Sequence, residues 1–510
     1  MTHTVGEQNE RILLGQSYFL RFDPKLWAAM QPYPPLGTLY AASYLRSRGY
    51  EVTLFDAMLA DSEAEWAAAL EREQPRVAVL YEDNFNYLSK MCLLRMRQAA
   101  FTMLGMARAR GCLVIAAGSD ATDHAREYLQ AGADYVLLGE GEETLGDVLD
   151  RVLRDRGAGL ESILGLAYER DGEVIQNERR PDLKDLDALP FPAWDLVDIP
   201  RYQRIWYDRH GYYSMNVATS RGCPYHCNWC AKPIWGQRYH VRSADNVAAE
   251  IAWLKKSYHP DHVWFADDIF GLKPGWIEQF ADFVEQRDAR VPFKSLQRVD
   301  LILKGNTVNA LKRAGAQRIW VGAESGSQKI LDAMEKGTQV ENIYEAARRL
   351  HEVGIEVAFF LQFGYPGETR DDIERTLQMV RDCKPDDIGM SVSYPLPGTR
   401  FFAAVQHELG TKQNWNDSED LAMLYHGPFS TAFYRLLHRV LHREFRARKA
   451  WDNLRPALRR PTRLRRRHAR DVAAILYSKA ALPVLRLELD RRARGPHKGL
   501  TTLLPVAPEP

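Results

Sequence analysis

At 510 residues the chain is too long for one hydrophobic core, so two or three domains are expected. Apolar residues make up 45% and charged residues 26%, and the net charge is only +1, which excludes a disordered chain and a globally basic nucleic-acid binder. Six cysteines in this length argue against a disulfide framework. No apolar run reaches a membrane span and the N-terminus has no signal-peptide core, so a reducing cytoplasm is expected.

Residues 1–155 alternate strand and helix: "RILLGQ", "PPLGTLYAASYLRSRGY", "EVTLFDA", "SEAEWAAALEREQ", "VAVLYED", "CLVIAAGS" and "DYVLLGEGEETLGDVLDRVL". That rhythm predicts a Rossmann-like α/β domain, a parallel sheet with helices on both faces. Such sheets bind ligands at the carboxyl ends of their strands, here "PYPPLG", "YEDNFNY", "AAGSDAT" and "GEGEE". Residues 156–204 read as a hairpin, "ILGLAYERDGEVIQNERR", and a Pro-rich linker, "LPFPAWDLVDIP".

Over 205–405 the alternation restarts with "SMNVATS", "HVWFADD", "FKSLQRV", "RIWVGAES", "EVAFFLQFG" and "DIGMSVSYP". Six strand–helix units predict an open, partial (β/α)6 barrel with its site at the strand C-termini. Trp206, Tyr207, Tyr212 and Tyr213, at its start, line either a domain interface or a route for an apolar substrate. Residues 406–510 read as a helical, basic C-terminal region with a flexible tail, "GPHKGLTTLLPVAPEP".

Just after the first barrel strand, "TSRGCPYHCNWCAKP" sets Cys223, Cys227 and Cys230 in C-x3-C-x2-C spacing. Structural zinc takes four closed ligands, and ordinary iron–sulfur clusters take four thiolates. A four-iron cluster on three thiolates leaves one iron open to a chelating amine and carboxylate. Zinc with His226 or His240 as the fourth ligand is the alternative. Cys92, Cys112 and Cys383 read as buried small residues.

The spacing, the loop position and Trp229 between the last two cysteines resemble the radical S-adenosylmethionine (radical SAM) superfamily. "WFADDIF", "VGAESGSQKILDAMEKG", "FLQFGYPGET" and "YPLPGT" resemble its second, fourth, fifth and sixth strand ends. The resemblance implies a [4Fe-4S] cluster on the three cysteines, with S-adenosylmethionine on the open iron. An electron from a flavodoxin- or ferredoxin-type donor then yields a 5′-deoxyadenosyl radical. It implies Trp229 as a wall for the adenine, Asp267 near the methionine amine, Glu324 and Ser325 at the ribose and Gly364 near the adenine. Arg298 faces either the cofactor carboxylate or a neighbouring acid, and Asp267 and Asp268 alternatively cap the next helix.

"PPLGTLYAASYLRSRGYEVTLFDA" and "GADYVLLGEGEETL" resemble the cobalamin-binding domain fused to many radical SAM enzymes. That implies cobalamin against Asn84, Phe85, Asn86, Gly118, Ser119, Gly139, Glu140 and Gly141. No D-x-H-x-x-G places a histidine under cobalt, and "DATDHAREY" has the wrong spacing. Ala117 replaces a glycine common in relatives, so a domain that has lost its cofactor is the alternative.

Together the two resemblances imply methylation of an unactivated carbon, in a small-molecule or peptide substrate, through the deoxyadenosyl radical and methylcobalamin. The alternative is ring formation or rearrangement without methyl transfer, because "LAMLYHGPFSTAFYRLLHRVLHREF" resembles the tail of the anaerobic magnesium-protoporphyrin cyclase family. A methylthiotransferase fits less well, since the N-terminal half lacks a second cysteine trio. A zinc protein whose basic tail binds nucleic acid is the distant alternative.

In that tail, Leu436, Leu437, Val440, Leu441 and Phe445 form a helical stripe beside runs such as "RRPTRLRRRH". Such a helix packs on the barrel or lies on an anionic membrane, giving a cytoplasmic or peripheral membrane location.

Overall fold

The apolar runs become strands buried on both faces. In the computed structural model, which describes residues 11–91, 93–155, 159–231, 234–409, 421–459 and 466–494, five of them build a parallel sheet. These are β1 (Ile12–Gly15), β2 (Val52–Phe55), β3 (Val77–Tyr81), β4 (Leu113–Ala117) and β5 (Tyr135–Leu137), ordered β2-β1-β3-β4-β5. The linker hairpin, β6 (Leu166–Arg170) and β7 (Glu173–Gln176), extends the same sheet antiparallel beyond β5.

Strand alternation sends neighbouring residues to opposite faces. Ile12 and Leu14 pack toward α1 (Leu36–Ser47) and Leu13 toward α2 (Glu63–Glu73) and α3 (Leu94–Ala109). The face served by Ile12 also takes α4 (Glu142–Leu149). This is the doubly wound sheet expected, and its strand order reverses at β1, so its ligand crevice lies between the ends of β1 and β3.

The second sheet opens with β8 (Ser214–Val217), followed by a two-stranded ladder of β9 (Ser220–Arg221) and β10 (His240–Val241). Then come β11 (His262–Phe265), β12 (Phe293–Gln297), β13 (Ala316–Glu324), β14 (Glu356–Phe363) and β15 (Asp387–Val392). All six main strands run parallel in the order β8-β11-β12-β13-β14-β15, an open barrel as predicted. Met215, Val217, Phe265 and Ile319 point outward into a core shared with α5 (Ala244–Tyr258), α6 (Trp276–Gln286), α7 (Thr307–Ala314), α8 (Val340–Glu352) and α9 (Arg370–Cys383).

The N-terminal module runs along the β8 edge of the barrel, and Leu36, Leu39, Tyr40 and Phe85 belong to the barrel's own core. Trp206 donates to the Pro32 carbonyl (2.8 Å), Asn216 donates to the Pro34 carbonyl (3.0 Å), and Tyr33 meets Ser214 at 3.0 Å. Trp206 and Tyr213 are fully buried at this seam, which is the interface reading of the aromatic group. Tyr212 packs partly buried against the same core, while Tyr207 is 46% exposed and bonds Asp261 at the surface.

The C-terminal region is a hairpin of two helices, α10 (Thr431–Arg459) and α11 (Arg466–Ala493). Leu436, Leu437, Val440, Leu441 and Phe445 are all buried in the barrel core. The stripe is therefore a packing face, which is the barrel-packing reading of this helix rather than the membrane one. Glu444 and Asp490 tie the hairpin to α9 through Arg381 (3.2 Å) and Arg370 (3.1 Å). Among the described residues no helix is long and apolar enough to cross a membrane. Cys112 and Cys383 are buried as expected, whereas Cys92 and the tail from 495 lie outside the described residues.

Candidate active site

The cysteine loop leaves the end of β8 and returns through β10, so the ladder at Ser220 and Arg221 closes its base. Asp267, at the end of β11, holds that base. Its Oδ1 accepts from the Thr219 and Ser220 amides (2.9 and 2.5 Å) and from both hydroxyls (3.0 and 2.7 Å). Asp267 is 1% exposed, its Oδ2 has no hydrogen-bond partner, and burial pushes its carboxyl up to about 6. It thus braces the loop rather than capping a helix; the N-cap position of α6 is Gly275. Gly222, at φ +78°, has the Arg238 carbonyl 2.3 Å from where a Cβ would stand, so no other residue fits this turn.

Farther round the loop, the Asn228 amide donates to the Met334 carbonyl (3.1 Å), and its side chain donates to the Ala333 carbonyl (2.8 Å). Cys227 is buried beside this anchor, and Cys223 and Cys230 are half-buried. A pre-fixed loop with three thiols outside any disulfide fits a four-iron cluster in which three irons take one thiolate each and the fourth is left open. Among the described residues no three His, Cys, Asp or Glu side chains stand as ligands of a single ion.

Around the thiols sits a charged group that the sequence does not announce. Glu324 ends β13 with φ +56°, where the β13–β14 register shifts, and its carboxylate meets Lys336 at 2.7 Å. Both side chains are buried, 7% and 8% exposed. Burial opposes the Lys336 charge, but the Glu324 carboxylate and the Cys227 sulfur beside it hold that ammonium above its ordinary range. The Trp229 ring lies 5.9 Å from the same ammonium, with its indole N–H unpaired. Trp229 and Glu324 thus stand with the cysteines.

Arg298, Ser325 and Gly364, also expected at S-adenosylmethionine, each have protein partners. Arg298 pairs with Asp300 (2.9 Å) and lies over the Tyr225 ring at 3.6 Å, which is the neighbouring-acid reading. Ser325 meets Thr376 at 3.2 Å and accepts from the Ser327 amide, so its hydroxyl faces α9. The Gly364 amide donates to Glu368, and the space beside its Cα is filled by Met423 and Tyr434 of the C-terminal region.

The second half of the site lies where the strand ends of the N-terminal sheet meet the barrel. Arg221 donates to Glu140 (2.9 Å) and Glu142 (2.7 Å), all three side chains being 4–8% exposed. The guanidinium lies 5.7–6.0 Å from the rings of Tyr40, Phe85 and Trp235. Despite burial, Arg221 holds the Glu142 carboxyl below its usual range. Lys90, also buried, pairs with Asp268 across the seam. Asn84 and Phe85 line a small cavity here with Tyr81, Glu140 and Trp235, whereas Asn86 accepts from the Leu88 amide and shapes a turn.

Gly118 and Gly141 are required by close approach: a Cβ would lie 2.7 Å from Glu82 and 2.7 Å from the Tyr81 ring, respectively. Gly139, at φ +83°, donates to Thr122 (3.1 Å), and Ser119 donates to the Lys90 carbonyl (2.7 Å). Gln16 Nε2 and Ser89 Oγ are buried there without partners, polar atoms that an amide-bearing ligand can satisfy. His124 stands between Asp120 (3.8 Å) and Glu127 (3.6 Å), in agreement with the absence of the D-x-H-x-x-G pattern. The residues present thus fit a cobalamin held without that histidine. Arg221, Glu142, Lys336 and Lys90 were not singled out from the sequence; the charged residue inside "TSRGC" was the available signal.

Two domain families match this architecture: the B12 binding domain over residues 28–149 and the radical SAM superfamily over 217–380. An uncharacterised methyltransferase of Pyrococcus horikoshii is 28% identical over 284 residues, which is 55% of this chain and 60% of that protein. The anaerobic magnesium-protoporphyrin IX monomethyl ester cyclase of Synechocystis is 24% identical over 377 residues, 72% of each chain. The fold is shared with the radical S-adenosylmethionine methyltransferase TsrM of Kitasatospora setae, with TM-score 0.64 and 17% identity over 79% of this chain and 77% of that one. A radical SAM domain implies a [4Fe-4S] cluster and S-adenosylmethionine, and a B12 binding domain implies cobalamin. The chain therefore carries two modules, a B12-binding domain followed by a radical SAM domain.

Proposed function

We propose that the chain is a cobalamin-dependent radical SAM enzyme that methylates an unactivated carbon of a small-molecule or peptide substrate. The observation that carries this reading is the meeting of the two modules at Arg221. Two residues before Cys223, it holds two of the three acids of the "GEGEE" loop of the B12-binding domain, Glu140 and Glu142, so the two cofactor-binding edges face one space. When bound, the cluster with S-adenosylmethionine supplies a hydrogen-abstracting radical, and cobalamin supplies the methyl group. The chain's own part is positioning. Asp267 and Asn228 fix the loop that presents Cys223, Cys227 and Cys230, and the Lys336–Glu324 pair keeps a charge beside Cys227 and Trp229. The electron comes from an external donor of flavodoxin or ferredoxin type, which fits a cytoplasmic enzyme.

The test is anaerobic purification with cobalamin, reconstitution with iron and sulfide, and reduction in the presence of S-adenosylmethionine. Deoxyadenosine together with S-adenosylhomocysteine, with cobalamin bound, supports methylation. A second reading, ring formation or rearrangement, is favoured by the match to the Synechocystis cyclase, which runs through most of both chains. Deoxyadenosine alone, in the presence of a substrate that is consumed, would decide for it. Zinc in place of iron, with neither nucleoside formed, would overturn both.

A further inference from the structure

Residues 431–494 hold 19 lysines and arginines against 5 acids, while the remainder of the chain holds 49 against 62. The near-zero net charge therefore conceals a basic helical hairpin on an acidic body. The hairpin is anchored by its inner side. Leu489 and Ser478 of α11 are buried, and Asp490 and Arg486 pair with Arg370 (3.1 Å) and Glu444.

The outer side of α11 is not the polar face that a solvent-exposed helix presents. Val472, Leu476, Val484 and Leu487 are 40%, 63%, 67% and 73% exposed, and Ala480 and Pro483 are exposed between them. At about 100° per residue these six positions fall within an arc of roughly 120°, over a length of about 22 Å. Exposed Arg470 and Lys479 lie at the two margins of the arc, and exposed Arg491 and Arg492 follow its C-terminal end.

We propose that this face of α11 docks on an anionic lipid surface. An apolar arc with cationic margins is the pattern of a helix lying in a bilayer interface, where side chains such as Leu476 and Leu487 enter the acyl boundary and the flanking cations meet lipid phosphates. The charge division sets the orientation, because the acidic body is repelled from the surface that attracts the hairpin. A second copy suits the face less well, since pairing would bring two strongly basic hairpins together. Nucleic acid suits it less well too, since the six positions of the arc are aliphatic or proline and carry one aromatic, Tyr477, at their edge.

The experiment is co-sedimentation of the full chain with vesicles of phosphatidylcholine alone or mixed with phosphatidylglycerol. Binding is expected on the anionic vesicles, weaker on the neutral ones, and reduced by salt. The double variant Leu476→Asp, Leu487→Asp is expected to bind at least about tenfold less, with unchanged circular dichroism, because both side chains are exposed in the folded chain. Equal binding by wild type and variant, or no binding to anionic vesicles, overturns the proposal. So does a wild-type dimer in light scattering that the variant abolishes, or a random DNA duplex that retains the chain where vesicles do not.

Discussion

Arg221 and Glu140 form a 2.9 Å ion pair that joins the radical SAM domain to the B12-binding domain, with 4% and 8% of their side chains exposed. A buried pair of this kind contributes little beyond an apolar equivalent, but losing one partner leaves the other charge stranded. Arg221→Met strands two carboxylates, Glu140 and Glu142. The variant is expected to lose about 3–5 kcal/mol in urea denaturation, with the modules unfolding in two steps. A single transition at the wild-type midpoint would contradict this.

Gly326, in "GAESGS", tests how closely β13 approaches α9. A Cβ there would lie 2.5 Å from the Arg375 carbonyl oxygen and 2.8 Å from the Thr376 Cα, both backbone atoms that cannot turn aside. Its amide also donates to Thr376 at 2.9 Å. Gly326→Ala is expected to cost at least about 1–3 kcal/mol through forced separation of strand and helix. Thermal unfolding of the variant checks it, and a Tm within one degree of wild type would count against it.

Why some features were legible in the sequence and others were not has a physical basis. Central parallel strands are buried on both faces, so runs such as "VAVLY" and "VAFFLQF" stand out as strands. The cysteine trio was legible because one short loop carries it. Long-range pairings carry no such mark. Nothing near Glu324 in sequence shows that Lys336 returns to it, and nothing near Ser325 shows that Thr376 is its partner. The 3.6-residue period found the apolar face from Leu436 to Phe445 but could not say that the barrel covers it. The outward face of α11 is not legible in the sequence because its opposite side, through Leu482, Leu485 and Leu489, is apolar too, which blurs the period.

Glu368 provides a pH test. It is 3% exposed, accepts from the Gly364 amide (2.7 Å), and burial pushes its carboxyl up to about 8. Between the ordinary carboxyl value near 4.5 and that raised value, the folded chain binds more protons than the unfolded one. Its contribution therefore falls as pH rises, by about 1.4 kcal/mol per pH unit across that window. Glu368→Gln keeps an acceptor for the Gly364 amide but cannot ionise. The variant is expected to match wild type near pH 4.5 and to exceed it in stability near pH 8. Urea midpoints at the two pH values decide the matter, since a pH-independent difference would mean that Glu368 does not titrate in this range.

Cys227 separates cluster binding from folding. It is the buried member of the trio, next to the Asn228 anchor and the Lys336 ammonium, and alanine fits its volume. Cys227→Ala removes a thiolate but none of the hydrogen bonds from Asp267 and Asn228 that shape the loop. Circular dichroism and cobalamin retention are therefore expected to persist, while iron and sulfide per chain, the brown absorbance and all S-adenosylmethionine cleavage fall to background. The loss of the sulfur also removes one of the charges that raise the Lys336 pKa, leaving Glu324 as its counter-ion. Full iron content in the variant would move the cluster away from this loop, and with it the reading built on the meeting of the two modules at Arg221.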